Sequence, residues 1–221
     1  MKNVEILSHY TQFPVLLGIL LRKKIVFGNP KYWEDKTDSE ILTEYAGAKQ
    51  KEIRVLCLTE FPNGIRDNIL HWKVYAPSKS GCRIDFDKKI LKQITKQQNA
   101  VLKKVAYIST DELKAKPNKK LANLLFLKRI PYIYENEWRI LWKGNLEENS
   151  EFELNISKIP LSNLIKCVRL SPELSKNVAE SICAFLNKRY KIKTVSSWIF
   201  QNPNWKRQAK KFLPTTIGDK K

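Results

Sequence analysis

Hydrophobic and polar positions alternate along the chain with two periods, and each change of period marks an element. Val4–Leu7 is a short apolar run, read as a strand that leads into Ser8-His9-Tyr10-Thr11. From Pro14 to Lys24 the apolar positions Val15, Leu16, Ile19 and Leu20 recur at helical spacing, with a proline in the first turn and a cationic last turn. Ile25-Val26-Phe27 reads as a strand closed by the turn Gly28-Asn29-Pro30, and the polar stretch Lys31–Lys51 predicts a helix with acids on one face. Arg54–Thr59 (R-V-L-C-L-T) is apolar and β-branched, a buried strand. Asp67–Tyr75 predicts a short helix capped by an Asp or Asn, and Gly81–Phe86 alternates Cys82, Ile84 and Phe86 against Arg83 and Asp85, the period of a strand.

Further on, Lys88–Lys96 reads as a basic helix, Val101–Ile108 as a strand, and Asp111–Lys128 as a basic helix interrupted near Pro117. Glu137–Trp142 (E-W-R-I-L-W), Phe152–Ile156 and Ile165–Leu170 predict three more strands. Pro172–Tyr190 is an amphipathic helix with Ser171 as its N-cap, and Lys193–Ile199 is a last strand before a basic tail. Strands and helices do not alternate strictly, so the fold class is α+β. With no repeat and no Gly/Ser linker, the expected organisation is a single domain over residues 1–200 and a basic C-terminal tail over 201–221.

Composition narrows the class. At 221 residues, with 43% hydrophobic and 10% aromatic residues, the chain can bury a core and is not a disordered polycation. Cys57, Cys82, Cys167 and Cys183 lie far apart without a C-x-x-C pair, and His9 and His71 lack metal-ligand spacing. No metal or disulfide framework is therefore assigned, and a reducing, cytoplasmic setting is expected. The longest apolar run, Phe13–Leu21, has nine residues, whereas a bilayer takes about 20. It is followed by Arg22-Lys23-Lys24, the reverse of a signal peptide, so no membrane partner is expected.

The formal net charge is +19, and it is not evenly spread. Lys88–Arg129 holds twelve basic residues and two acids, and Leu186–Lys221 holds ten and one, so these two segments carry the whole imbalance. Tyr107, Tyr190, Trp198 and Trp205 interleave with this charge, which suits a phosphate backbone with unpaired bases stacked on aromatic rings. An acidic protein partner would answer to the same charges.

Phosphate-loop, dinucleotide-fold and hydrolase-elbow motifs are absent. Three local features remain. His9-Tyr10-Thr11 ends the first strand. Leu58-Thr59-Glu60 precedes Asn68–Ala76, in which Trp72 and Tyr75 lie three apart and share a helix face. In Tyr134-Glu135-Asn136-Glu137-Trp138-Arg139, alternation along a strand would point Glu135 and Glu137 the same way. The plainer readings are a structural histidine, ordinary core packing, and edge-strand surface acids answered by Arg139 and nearby lysines.

The order H-Y-T, W-x-x-Y-A with a following G-x-x-I-x-F, then E-x-E-W-R resembles a widespread bacterial family of uncharacterised proteins. That motif layout is similar to the ADP-ribosyltransferase superfamily, which includes many phage-defence and toxin–antitoxin toxins. Some members carry an N-D-P-x-E segment where this chain has Trp33–Glu40. The resemblance implies an ADP-ribosyltransferase-like split β-sheet that binds NAD, as substrate, in its cleft. It implies a ribose-binding His9, cleft-shaping Tyr10 and Thr11, a nicotinamide-stacking Tyr75 or Trp72 with Thr59 beside it, a catalytic Glu137, and Glu135 for the acceptor. The expected function is then an NAD-dependent ADP-ribosyltransferase toxin acting on RNA, mRNA in particular, with an acidic antitoxin, with or without a chaperone, as protein partner. Two alternatives stand beside it: a non-enzymatic nucleic-acid-binding module, and a metal-independent ribonuclease using His9 or His71 with Glu137 as acid and base.

Overall fold

The computed structural model describes residues 5–48, 52–61, 67–115, 124–145, 151–197, 199–200 and 203–212. In chain order the main elements are β1 (Ile6–Gln12), α1 (Phe13–Arg22), β2 (Lys24–Val26), α2 (Lys36–Ala48), β3 (Glu52–Thr59), α3 (Ile69–Tyr75), β4 (Gly81–Asp87), α4 (Lys88–Gln97), β5 (Ala100–Lys104), β6 (Ala106–Ile108), α5 (Thr110–Lys114) and β7 (Leu127–Arg129). A 3₁₀ turn, Ile130–Glu135, leads into β8 (Glu137–Gly144). Then come β9 (Glu153–Asn155), α6 (Leu161–Leu164), β10 (Ile165–Leu170), α7 (Lys176–Tyr190), β11 (Thr194–Ser196) and α8 (Pro203–Ala209).

Seven strands form one mixed sheet in the order β11-β10-β4-β1-β3-β8-β5, in which only β10 and β11 run parallel. The α+β expectation matches this architecture. Side-chain alternation divides the sheet into two unlike faces. One face carries Leu7, Leu56, Leu58, Cys82, Ile84, Phe86, Ile140, Val168 and Leu170, all buried, and packs against Leu16, Ile19 and Leu20 of α1, Leu91 and Ile94 of α4, Leu164 of α6 and Ala179 and Leu186 of α7. This is the main core, held by loss of apolar surface from water. The opposite face carries Ser8, Tyr10, Thr59, Arg83, Asp85, Glu137 and Arg139, all buried, with α2, α3 and the segment from Leu125 folded over it.

Gly81 lets α3 turn back tightly into β4, because a Cβ there would lie 2.2 Å from the Ala76 carbonyl oxygen. At the other end of α3, the Asn68 side chain accepts the Leu70 amide, the cap the sequence foretells.

The sheet has a seam. β1 pairs with β4 through seven register positions and β3 pairs with β8 through eight, but β1 and β3 share one, Ser8 with Thr59. Four residues back along β3, Val55 exchanges both backbone bonds with Gly28 instead. Cys57 lies between these contacts, and its carbonyl, on that same edge, accepts from His9 Nδ1 at 2.8 Å. Since a carbonyl only accepts, Nδ1 carries the ring proton. Burial lowers the His9 pKa more than this bond raises it, so the ring is a neutral donor that closes a break in the ladder.

Several local expectations change. Val101–Ile108 is two strands parted at Val105, whose amide bonds the Glu137 carbonyl. Of the basic helix expected over Asp111–Lys128, Thr110–Lys114 is helical and Leu127–Arg129 is instead a strand paired with β6; residues 116–123, Pro117 among them, lie outside the described residues. α7 starts at Lys176, not after Ser171, whose hydroxyl donates to the Ser78 carbonyl. Trp198 and most of the tail, 201–202 and 213–221, are also outside the described residues. Among those described, no helix is long and apolar enough to cross a membrane.

Replacing His9 by Ala should leave the Cys57 carbonyl without its donor and cost about 1–3 kcal/mol in urea unfolding. Hydrogen exchange should quicken at β3 positions beside the seam and stay unchanged in α7.

Candidate functional site

The polar face holds two ion networks, one on each side of the seam. On the β4 side, Arg83 forks onto Asp85 (2.7 and 3.0 Å), and Ser8 donates to the same carboxylate at 2.7 Å. Asp67 is the second anchor: its Oδ1 accepts from Trp72 Nε1 at 2.7 Å, Tyr10 Oη at 3.0 Å and Arg83 at 3.3 Å, and its Oδ2 accepts from Ser197 at 2.6 Å. These satisfied buried groups fix α3 on the sheet.

On the β8 side, Arg139 is fully buried. Its guanidinium donates to Glu137 at 2.8 and 3.2 Å, to both Asp38 oxygens (3.2 Å to Oδ1) and to the Leu125 carbonyl at 3.1 Å. Lys128 donates to Glu135 at 2.7 Å and to Glu137 at 3.4 Å, and lies 4.0 Å from Asp38. Three carboxylates thus face two cations. Lys128 and Arg139 sit among the acids, and no group of three His, Cys, Asp or Glu among the described residues could hold a metal ion.

The three acids titrate differently. Burial pushes Glu137 up, but Arg139 and then Lys128 outweigh it and leave its carboxyl below the ordinary 4.5. Burial raises Glu135, and Lys128 and Tyr75 offset only part of this. Burial also leaves Asp38 raised, against Arg139 and Lys128. Two neighbouring glutamates whose environments drive them apart are a pattern shared with acid–base sites.

Glu135 and Glu137 are not alternating residues of one strand. Glu135 ends the 3₁₀ turn, Asn136 takes a left-handed conformation (φ 44°), and only then does β8 begin. Both carboxylates nevertheless meet at Lys128, which arrives from β7. They are not edge-strand surface acids either: each is 3% exposed, and β8 lies between β3 and β5.

Glu135 is the better-connected corner. Its carboxylate also accepts from Tyr75 Oη at 2.6 Å, and its carbonyl accepts from Thr59 Oγ1 and, in a long 3.4 Å contact, from His71 Nε2. Tyr75 and Tyr134 stand over this corner, each 41% exposed. Burial, then the bond to Glu135, raises the Tyr75 pKa and keeps its hydroxyl protonated. Tyr107 accepts the Glu137 amide at 2.8 Å, and burial pushes its phenol up to about 12.

The residues singled out in the sequence divide into groups. Thr59, Tyr75, Glu135 and Glu137 come together. Trp72 is 2% exposed with its indole committed to Asp67, and Tyr10 is 7% exposed in the same network. On α3 the neighbour of Tyr75 is therefore His71, four residues back, with ring centroids 5.8 Å apart. Alternation sets His9 and Thr11 on the other face of β1 from Ser8, so Cys57 stands between His9 and the carboxylates. Lys128, Asp38 and Asp67 were missed as site residues, and His71 entered only as the acid or base of the ribonuclease alternative. A groove of about 320 Å³ lined by Phe13, Pro14, Gly81, Leu170, Leu174 and Ile182 is nearly all apolar and shares no residue with the carboxylate cluster.

Replacing Glu137 by Gln should cost about 3–5 kcal/mol at neutral pH, because Arg139 loses an ionised partner while buried. A carboxyl held below its unfolded pKa stabilises fully above about 4.5 and loses that contribution as pH falls through the folded value. Glu135, held above its unfolded value, has the opposite sign. The Glu137→Gln cost should therefore shrink in urea unfolding at pH 3, and Glu135→Gln should cost less than Glu137→Gln at pH 7.

No curated protein and no solved structure matches the chain. A family model described as "Protein of unknown function (DUF2971)" matches residues 71–140, a stretch that contains His71, Tyr75, Lys128, Glu135, Glu137 and Arg139 and so takes in most of the carboxylate corner.

Proposed function

We propose that the chain is an NAD-dependent ADP-ribosyltransferase, with NAD as substrate and RNA as acceptor, acting as a toxin in phage defence or a toxin–antitoxin system. The observation that carries this reading is the Glu135 corner, a buried carboxylate hydrogen-bonded by Tyr75 and Lys128 beneath two tyrosines that keep part of their surface open. The near-broken β1–β3 ladder beside it supports the reading, since the resemblance implies a cleft in a split sheet.

The residues fit the nucleotide in chemical kind. Tyr75 and Tyr134 offer rings for a flat heterocycle, and Arg129, half exposed over the Tyr132 ring at 5.3 Å and paired with Asp35, offers charge to a diphosphate. In the reaction the nicotinamide–ribose bond breaks with its electron pair leaving on nicotinamide, and positive charge develops at the ribose. The acceptor adds at that carbon and loses a proton. Glu135 is in place to stabilise the charge and, with its raised pKa, to take the acceptor's proton. Glu137 acts through Lys128, which the two glutamates keep charged against the effect of burial. This exchanges the roles that the motif order alone implies, because Glu137 is already committed to Arg139.

RNA as acceptor rests on the charge. α8 carries Lys206 and Arg207 beside Trp205, which is 75% exposed, and Phe212 just beyond it is 88% exposed. Such a surface suits single-stranded nucleic acid, and an acidic antitoxin would cover the same charges.

Incubation with adenylate-labelled NAD, total RNA and total protein should give label that ribonuclease releases, falling roughly 10²–10³-fold in Glu135→Gln. Protease-sensitive label would move the acceptor to protein. RNA bound without label or nicotinamide release would support the binding module, and shortened RNA would support the ribonuclease.

A further inference from the structure

His71 is 2% exposed, and the two nitrogens of its ring are unequally served. Nε2 faces the Glu135 carbonyl, and as a carbonyl only accepts, Nε2 carries the proton. Nδ1 is then a bare lone pair, buried and without a hydrogen-bond partner. Around it stand the rings of Tyr10, Phe61, Tyr75 and Tyr134, with centroids 5.3, 5.7, 5.8 and 6.5 Å from that of His71. Burial lowers the pKa of the ring, first among its causes, so Nδ1 does not answer its own deficit by protonating near neutrality.

An unpaired buried acceptor is costly, and buried polar atoms are nearly always paired. The other two polar anchors of α3 on this face have partners: Trp72 on Asp67 and Tyr75 on Glu135. The exception lies at the same corner as Glu135 and under the same half-open tyrosines. We propose that His71 Nδ1 is a specificity-determining acceptor that reads a ligand N–H, and that the group it selects is the carboxamide NH₂ of nicotinamide, bound flat among these rings. The proposal rests on the NAD reading of this site and deepens it.

The geometry gives the selection its direction. The lone pair rewards a donor and penalises a group of equal size that lacks one, because a polar atom is then sealed from water without a partner. On this proposal the ligand enters by displacing the rim rings of Tyr75 and Tyr134, which are the exposed ones. Glu135 feels the outcome directly, since one histidine side chain touches its backbone through Nε2 and the ligand through Nδ1.

The test compares equilibrium binding of NAD with that of its 3-acetylpyridine analogue, in which a methyl group replaces the amide NH₂ and the charge is unchanged. The wild-type chain should bind NAD about tenfold or more tightly over the analogue. His71→Phe, which keeps an aromatic ring in the cluster, should bind both alike, and adding nicotinamide should move the Nδ1 resonance of ¹⁵N-labelled His71 in the wild type. Equal wild-type affinities, or discrimination that survives in a folded His71→Phe, would overturn the role of His71 and leave the NAD reading standing. Failure to bind either dinucleotide would overturn both.

Discussion

The Arg139 guanidinium is the tie on which the candidate site depends. It is fully buried and gathers Glu137 at the start of β8, Asp38 in α2 and the carbonyl of Leu125 ahead of β7. Lys128 reaches the same two carboxylates, and the apolar support is thin: among the described residues the cluster around Leu42 and Leu125 has six buried members, against 25 in the main core. Desolvating such a group is unfavourable unless its donors are well placed, and here four contacts to two carboxylates compensate it. The same tie sets the charge of the corner above. With Arg139 taking Glu137 and Asp38, Lys128 is left to Glu135, and one negative charge exceeds the cations in the cluster. Burial is the main reason Glu135 and Asp38 are raised, with the Glu137 charge adding to it, while Arg139 and then Lys128 hold Glu137 low.

The strands were legible in the sequence wherever alternation survived burial. Cys82, Ile84 and Phe86 against Arg83 and Asp85 reads correctly as a strand, and its two sides are indeed the core face and the ion-network face. Arg54–Thr59, read from its apolar and β-branched run, and Glu137–Trp142 are strands as expected. What failed was local geometry that a single residue decides. Asn136 in the left-handed region turns an apparent E-x-E strand into a corner. The basic stretch after Asp111 was read by composition as one helix, yet Leu127–Arg129 pairs with β6 because that pairing delivers Lys128 to three acids.

The site itself was half legible. Glu135, Glu137, Tyr75 and Thr59 could be picked from their neighbours in sequence, but their partners could not. Lys128 resembles every other lysine of a chain carrying 41 Lys and Arg, and Asp67 and Asp38 resemble helix-cap acids. Asp38 meets Arg139 across 101 residues and Asp67 meets Tyr10 and Ser197 across 57 and 130, while Lys128, seven residues from Glu135, is set against it by the pairing of β7 with β6. Trp72 misled in the opposite sense: its spacing to Tyr75 is helical, but the seven-residue α3 lies with that side against the sheet, and the indole is used up holding Asp67. His9 sits beside the seam, where its neutral ring completes the broken ladder and does not meet the carboxylates.

A nicotinamide nucleotide seated at the Glu135 corner, as proposed, should slow hydrogen exchange in Ile69–Tyr75 and Ile130–Glu137 when NAD is added to the whole chain, with little change in α1, α4 or α7. Unchanged exchange throughout, or protection confined to the groove between Phe13 and Ile182, would contradict that proposal.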